Sequence, residues 1–243
     1  MTTDALARPA RASHLAGALL TLWSSSIGKK IVMALTGLAL VGFILVHMLG
    51  NLKIYKGEAA FNAYALWLRE VGGPLLGHEQ ALWIFRLVLL GAVALHMLAA
   101  WQLTRMSWAA RRDGYEEKQS LEASYASRTM RWGGVLIALF VVYHILHFTL
   151  GAVGYGAGQF KPLSVYRNVV LGFSVWYVSA FYIVAQLFLG LHLYHGVWSM
   201  VQTLGVVTAR GDRAYRAAGT LIAVAVVCGN VSIPIAVLLG ILK

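Results

Sequence analysis

IVMALTGLALVGFILVHML (residues 31–49) is a run of nineteen residues without a charge and with one histidine near its end. Coiled as a helix it rises about 30 Å, the thickness of a bilayer's hydrocarbon core. Residues 81–103, 132–153, 169–200 and 217–242 are four more runs of spanning length. With their flanks the predicted spans are about 27–51, 81–104, 131–153, 169–201 and 217–242. The fourth is long enough to tilt or to begin outside the bilayer. The expected fold is an all-α integral membrane protein, one five-helix transmembrane bundle occupying residues 1–243 as a single membrane domain.

Composition points the same way, since 59% of the 243 residues are hydrophobic and only 12% charged, too apolar for a soluble domain. The formal charge of +11 does not imply nucleic acid, because the basic residues sit at span ends and in short loops. Arg8, Arg11, Lys29, Lys30, Arg105, Arg111, Arg112, Lys118, Arg128, Arg131, Arg210, Arg213 and Arg216 fall on one side. Lys53, Lys56, Arg69, Lys161, Arg167 and Lys243 fall on the other, with Arg86 just inside the second span. The asymmetry predicts a cytoplasmic amino terminus and an outer carboxyl terminus. A polar start and a first apolar run beginning only at residue 31 argue against a cleaved signal peptide. The single cysteine, Cys228, lies within the last span, where it reads as a small packing residue.

Before the first span, residues 14–23 are apolar but too short to cross and suit a short interfacial helix within a cytoplasmic segment, 1–26. Ser24, Ser25 and Ser26 then offer N-caps. In the outer loop, FNAYALWLREV has helical spacing and is stopped by Gly72, Gly73 and Pro74, which predicts a helix along the interface. The loop over residues 105–131 holds Asp113, Glu116, Glu117 and Glu122 among six basic residues. It suits docking to another protein, and equally a solvated connector.

The histidines carry the chemistry. A buried imidazole needs a partner, and intramembrane ionisable groups are usually functional. His47, His96, His144 and His192 stand on four different spans, with His147 and His195 each three residues further on, while His14 and His78 lie outside the spans as surface residues. Axial ligands of one haem must face each other at one level. Span direction puts His47 near the outer end, His96 in the inner half, His144 past the middle and His192 in the inner half. The pairs that follow are His96 with His192 for an inner haem and His47 with His144 for an outer one, although depth alone would favour His147 over His144. The second histidine of each couple is then a hydrogen-bonding group for a propionate, a quinone or backbone. Small residues flank the rings on their own helical faces: Ala92 and Ala100 beside His96, Gly50 after His47, Gly196 after His192. A planar macrocycle needs such room, and close helix packing uses it equally. Two ligands per iron leave no open position, which favours electron transfer over oxygen chemistry. No GxGxxG, P-loop, CxxC or HExxH pattern is present.

These residues resemble a known family. SSIGKKIVMALTGLALVGFILVHMLGNL (25–52), EAAFNAYALWL (58–68), ASRTMRWGG (126–134) and GFSVWYVSAFYIVAQLFLGLHLYHGVWS (172–199) are similar to the di-haem cytochrome b membrane anchor of bacterial succinate dehydrogenases and fumarate reductases, of the single-chain five-helix type. The blocks TGL before HMLGN and FYIV before HLYHGVWS are the most specific. The resemblance implies His144, ten residues after Gly134, and His192, before Gly196-Val197-Trp198, as ligands over their neighbours. Some relatives have asparagine where His195 stands. It also implies two haem b groups, a quinone, most often menaquinone, and partner subunits on the cytoplasmic face, a flavoprotein with FAD and an iron-sulfur protein. The chain would be a subunit of an enzyme of the cytoplasmic membrane, itself without dicarboxylate chemistry, in an assembly open to higher oligomers. Glu70, beside Arg69, lies about where relatives keep an acidic group for quinol proton transfer, and an interfacial salt bridge is its alternative. Ser26, Lys29, Arg131 and His195 could hold inner-haem propionates or a quinone, or simply anchor the surface.

Three other readings remain at this stage. One is a cytochrome b anchor of a hydrogenase or formate dehydrogenase, and a second is a purely structural anchor. A proton-linked transporter is the third, but no Asp or Glu lies within any predicted span and Pro234 is the only proline in one.

Overall fold

The computed structural model describes residues 17, 20–110, 125–206, 208 and 211–243, the side chains of residues 125–128 excepted. His14, much of the segment predicted as an interfacial helix, and the acidic centre of the 105–131 loop lie outside the described residues. Residues 20–23, within that segment, are helical.

Five helices are long and apolar enough to cross a membrane, and the described residues contain no strand. In chain order the elements are α1 (Ser26–Asn51), α2 (Glu58–Glu70), α3 (Gln80–Ala109), α4 (Tyr125–His144), α5 (Val165–Ser174), α6 (Trp176–Thr203) and α7 (Asp212–Leu238). The spans are α1, α3, α4, α6 and α7. Alternating direction brings the starts of α1, α4 and α7 and the ends of α3 and α6 to one face, called here the N-terminal face. The opposite, distal face carries α2 and α5.

Local chemistry sets the boundaries. Ser25, extended at φ −81°, caps α1 by accepting the Gly28 N–H at 2.9 Å, one of the capping serines expected there. The interfacial helix predicted from FNAYALWLREV is α2. It begins after Gly57, at φ 90°, a conformation that glycine adopts without strain. Beyond α2, Arg69 donates to Glu79 at 2.9 Å and the Glu79 N–H to the Arg69 carbonyl at 2.7 Å, closing the connection into α3. α4 runs into a π-helical turn over Ile145–Thr149, where the Leu150 N–H reaches the Ile145 carbonyl at 3.0 Å.

Of the two forms that the length of the fourth predicted run allows, the chain takes the one that begins before the spanning helix. Residues 169–201 do not form one rod: the chain turns at Val175, extended at φ −85°, ψ 107°, so α5 is a separate distal helix and the span begins at Trp176. The Ser179 hydroxyl donates to the Phe173 carbonyl at 2.7 Å, supplying a partner for backbone that the broken helix frees. Nothing in the apolar run VVLGF announces this turn. α5 is tied to α2 by the Tyr166 N–H donating to the Asn62 side chain at 3.1 Å. Buried Asn168 clamps the loop before it through both the N–H and the carbonyl of Lys161.

α6 is the hub of the packing, resting on α7 most extensively and then on α4 and α1, while α3 packs on α1. Small residues permit the closest approaches: a Cβ at Gly190 would meet Val227 at 2.5 Å and one at Gly229 would meet Met48 Sδ at 2.6 Å. Asn230 of α7 donates to Gln186 of α6 at 3.0 Å, a polar tie within the bundle. At the N-terminal face, Asp212 accepts from Trp198 Nε1 at 3.0 Å and Arg216 at 2.9 Å, which joins the end of α6 to the start of α7. Cys228, read from sequence as a packing residue, is exposed and borders an open groove of about 510 Å³ with Tyr55 and Ser232.

Four spans occupy the corners of a square. Its packed edges are α1–α3, α1–α6 and α4–α6. Among the described residues the fourth edge, α3–α4, and both diagonals, α1–α4 and α3–α6, make at most marginal backbone contact.

Candidate functional site: two histidine pairs across the diagonals

The two diagonals are where the histidines meet. His96 of α3 faces His192 of α6 with ring centroids 6.3 Å apart, and His47 of α1 faces His144 of α4 at 5.8 Å. Helices packed at edges of 8–10 Å leave a diagonal of about 11–14 Å, too wide for backbone contact but within reach of two imidazoles. None of the four residues is fully buried in the isolated chain, where His47 is exposed, but His192 Nδ1 is buried without a hydrogen-bond partner.

The tautomer of His96 is fixed by its partners. Its Nδ1 lies 3.1 Å from the Met33 carbonyl and 3.2 Å from the Thr36 hydroxyl, both on α1. A carbonyl only accepts, so Nδ1 carries the hydrogen and Nε2 is the bare nitrogen. Thr36 itself donates to the Val32 carbonyl at 2.7 Å, which leaves its oxygen free to accept. Gly37 makes room for this arrangement: a Cβ there would sit 3.4 Å from His96 Cε1. Neither Thr36 nor Met33 stood out in the sequence as a partner for a histidine.

Two imidazoles on opposite faces of one metal ion, at metal–nitrogen bonds of about 2.0–2.1 Å as in zinc–histidine sites, hold their centroids about 6 Å apart. Both observed separations fit that spacing. An imidazole anchored through Nδ1 to a carbonyl, with Nε2 bare, is also how metal-bound histidines are oriented. The described residues contain no cluster of three or more metal-ligating side chains. Two protein nitrogens per site suit a metal that brings its own equatorial ligands, as haem does. No family model, curated protein or solved structure matches this chain.

The remaining predicted site residues do not converge on the pairs. Glu70 is largely exposed and lies 2.6 Å from His78 Nδ1, while Arg69 is taken by Glu79 and by the Ala65 carbonyl. The contact observed for Glu70 is thus with His78, which is exposed, as expected of a surface residue. Lys29 is buried, yet its ammonium is held by the Trp23 and Ser24 carbonyls and lies over the Trp23 ring. Ser26 is exposed. Arg131 sits over the Trp108 ring at 5.7 Å, bridging the open α3–α4 edge at the N-terminal face. His195, half-buried, lies against Trp198 with centroids 6.4 Å apart. Gly50, read as a flat neighbour of His47, is the seat of Tyr64 from α2, whose hydroxyl would be 2.6 Å from a Cβ there. Gly196, by contrast, opens on to empty space beside His192.

His147 belongs to neither pair. Its ring is fully buried among Phe148, Tyr155 and Tyr182, with Nδ1 3.0 Å from the Tyr182 hydroxyl. This burial leaves it no face for the propionate or quinone expected of it. Burial pushes the neighbouring Tyr155 phenol up, and Tyr143 adds to the shift, so Tyr155 stays protonated at neutral pH. Tyr182 was not anticipated from sequence.

Proposed function

We propose that this chain is the haem-bearing membrane anchor and electron-transfer subunit of a succinate:quinone oxidoreductase in a bacterial cytoplasmic membrane. On this reading it passes electrons between an iron-sulfur subunit, itself joined to a flavoprotein carrying FAD, and a membrane quinone, menaquinone in the first instance. The observation that carries the reading is the placement of two histidine pairs on the two diagonals of one square, at the centroid spacing of a doubly ligated iron. The motif resemblance selects the family among quinone-linked cytochromes b.

His96 and His192 would hold a haem nearer the N-terminal face, and His47 and His144 one nearer the distal face. When bound, haem iron would supply a one-electron couple. The chain's own contribution is orientation: the Met33 carbonyl and Thr36 hold His96 through Nδ1 and leave Nε2 bare, and Gly37 lies against the ring, where even a Cβ would be in contact with it. The charge asymmetry supports a cytoplasmic N-terminal face, where the soluble partners would dock.

The test is a reduced-minus-oxidised spectrum of the purified complex with pyridine haemochrome quantification. Two haems b per chain are expected, together with a copurifying flavin-containing subunit. Zero haem overturns the reading, one requires reassignment of a histidine pair, and a nickel- or molybdenum-containing partner moves the chain to a hydrogenase or formate dehydrogenase complex.

A further inference from the structure

His147 occupies a closed seat. Its ring stacks on Phe148 with centroids 4.1 Å apart, and its Nε2 faces two glycines: a Cβ at Gly154 or Gly172 would come within 2.7 Å of that atom. Nε2 has no hydrogen-bond partner. Its other nitrogen, Nδ1, shares one phenol with a second imidazole, since the Tyr182 hydroxyl is 3.0 Å from His147 Nδ1 and 3.5 Å from His144 Nδ1.

A phenol has one hydrogen to give and accepts through its oxygen. Whichever ring takes that hydrogen must present a bare Nδ1, and the other must donate its own N–H to Tyr182. Only one of the two arrangements leaves Nε2 of His144 bare: His144 Nδ1–H donates to Tyr182, and Tyr182 donates to His147. The contrast with His96 is direct. A carbonyl imposes the Nδ1–H tautomer unconditionally, whereas a hydroxyl imposes it only while something else takes the hydroxyl hydrogen.

We propose that His147, acting through Tyr182, is the positioning residue for His144, holding it as the Nδ1–H tautomer with Nε2 presented toward His47. The inference rests on the reading of His144 as a haem ligand. The π-helical turn that begins at Ile145 departs from α-helical spacing immediately after His144, and the side chain three residues on lies against α5 and α6, outside the square.

The experiment compares Tyr182→Phe, His147→Leu and His147→Gln in the intact complex, reading haem stoichiometry, the low-spin EPR signals and the reduction potential of each haem. Loss of an oriented hydrogen-bond partner costs metal sites about 10–100-fold in affinity. Tyr182→Phe and His147→Leu are therefore expected to weaken retention of one haem, alter its EPR signal and raise its potential, because the ligand becomes less electron-rich. The other haem stays as in the wild type. His147→Gln, which keeps an acceptor near the Nδ1 position, restores the wild-type signal in part. Unchanged potentials and EPR signals for both haems in Tyr182→Phe overturn the proposal, as does His147→Gln behaving like His147→Leu. If His147→Leu does not accumulate, Tyr182→Phe, which removes only a hydroxyl, decides the matter. A wild-type complex without haem overturns the parent reading and this inference with it.

Discussion

His96 reaches across from α3 to α1 and donates through Nδ1 to the carbonyl of Met33 at 3.1 Å. The bond spans sixty-three residues of sequence and fixes which nitrogen of the ring faces the bundle. Gly37 lies beside it, where a Cβ would already touch the ring at 3.4 Å. Gly37→Val is expected to displace His96 and lower haem from two per chain to one, read by pyridine haemochrome. Gly37→Ala should retain both. Two haems in Gly37→Val would show that the ring tolerates displacement.

The square treats its diagonals as separate sites. If the proposed reading holds, His192→Ala should remove the haem held with His96, and His47→Ala the one held with His144, each leaving a single haem with its own spectrum. Loss of both haems from either variant would mean that the pairs are structurally coupled.

The Glu70–His78 pair is largely exposed and lies apart from the histidine pairs in its contacts. If the proposed reading holds, Glu70→Gln is expected to leave both stability and quinone-linked turnover close to wild type, since the site is at the surface and apart from the histidine pairs. A loss of tenfold or more in quinone-linked turnover would return Glu70 to the quinone site suggested by the family resemblance.

Between α6 and α7, Gln186 and Asn230 partner each other at 3.0 Å. A double-mutant cycle with Gln186→Leu and Asn230→Leu, read by denaturation in detergent, should give a coupling of about 0.6–2 kcal/mol, the range for hydrogen bonds between membrane helices. Either single variant should be less stable than the double, because each leaves one amide, buried Gln186 or half-buried Asn230, unpaired.

Orientation is open to a direct measurement. Lys243 is expected on the outer side, so an alkaline phosphatase fused after it should be active in cells, and a fluorescent protein that needs the cytoplasm to fold should stay dark. The reverse pattern would exchange the inner and outer haem assignments.

Much of this was legible in the sequence, for a geometric reason. The rise of 1.5 Å per residue converts position within a span into depth, and alternating direction then sorts His47, His96, His144 and His192 into two levels. Depth says nothing about rotation round the helix axis. In helices apolar on every face, hydropathy could not show that Thr36 turns toward His96, or that Tyr182 lies between His144 and His147. Both stand in the blocks that carry the family resemblance, TGL and FYIV, but as letters in a motif their contacts are invisible. The turn at Val175 escaped notice because residues 169–173 are as apolar as a span. The partners of Gly50 and Glu70 were not legible for a different reason: Tyr64 and His78 come from parts of the chain whose approach only the fold determines.

The open edge between α3 and α4 bears on how such a protein is built. Three packed edges make a horseshoe whose gap is bridged, at the N-terminal face, by Arg131 over Trp108. On the proposed reading, a flat, apolar prosthetic group could enter through the rest of that gap after all five helices have been threaded, with no need to be captured during synthesis. Once seated, it would be the clasp that joins α3 to α6 and α1 to α4, so delivery of the group and closure of the bundle become a single event in biogenesis.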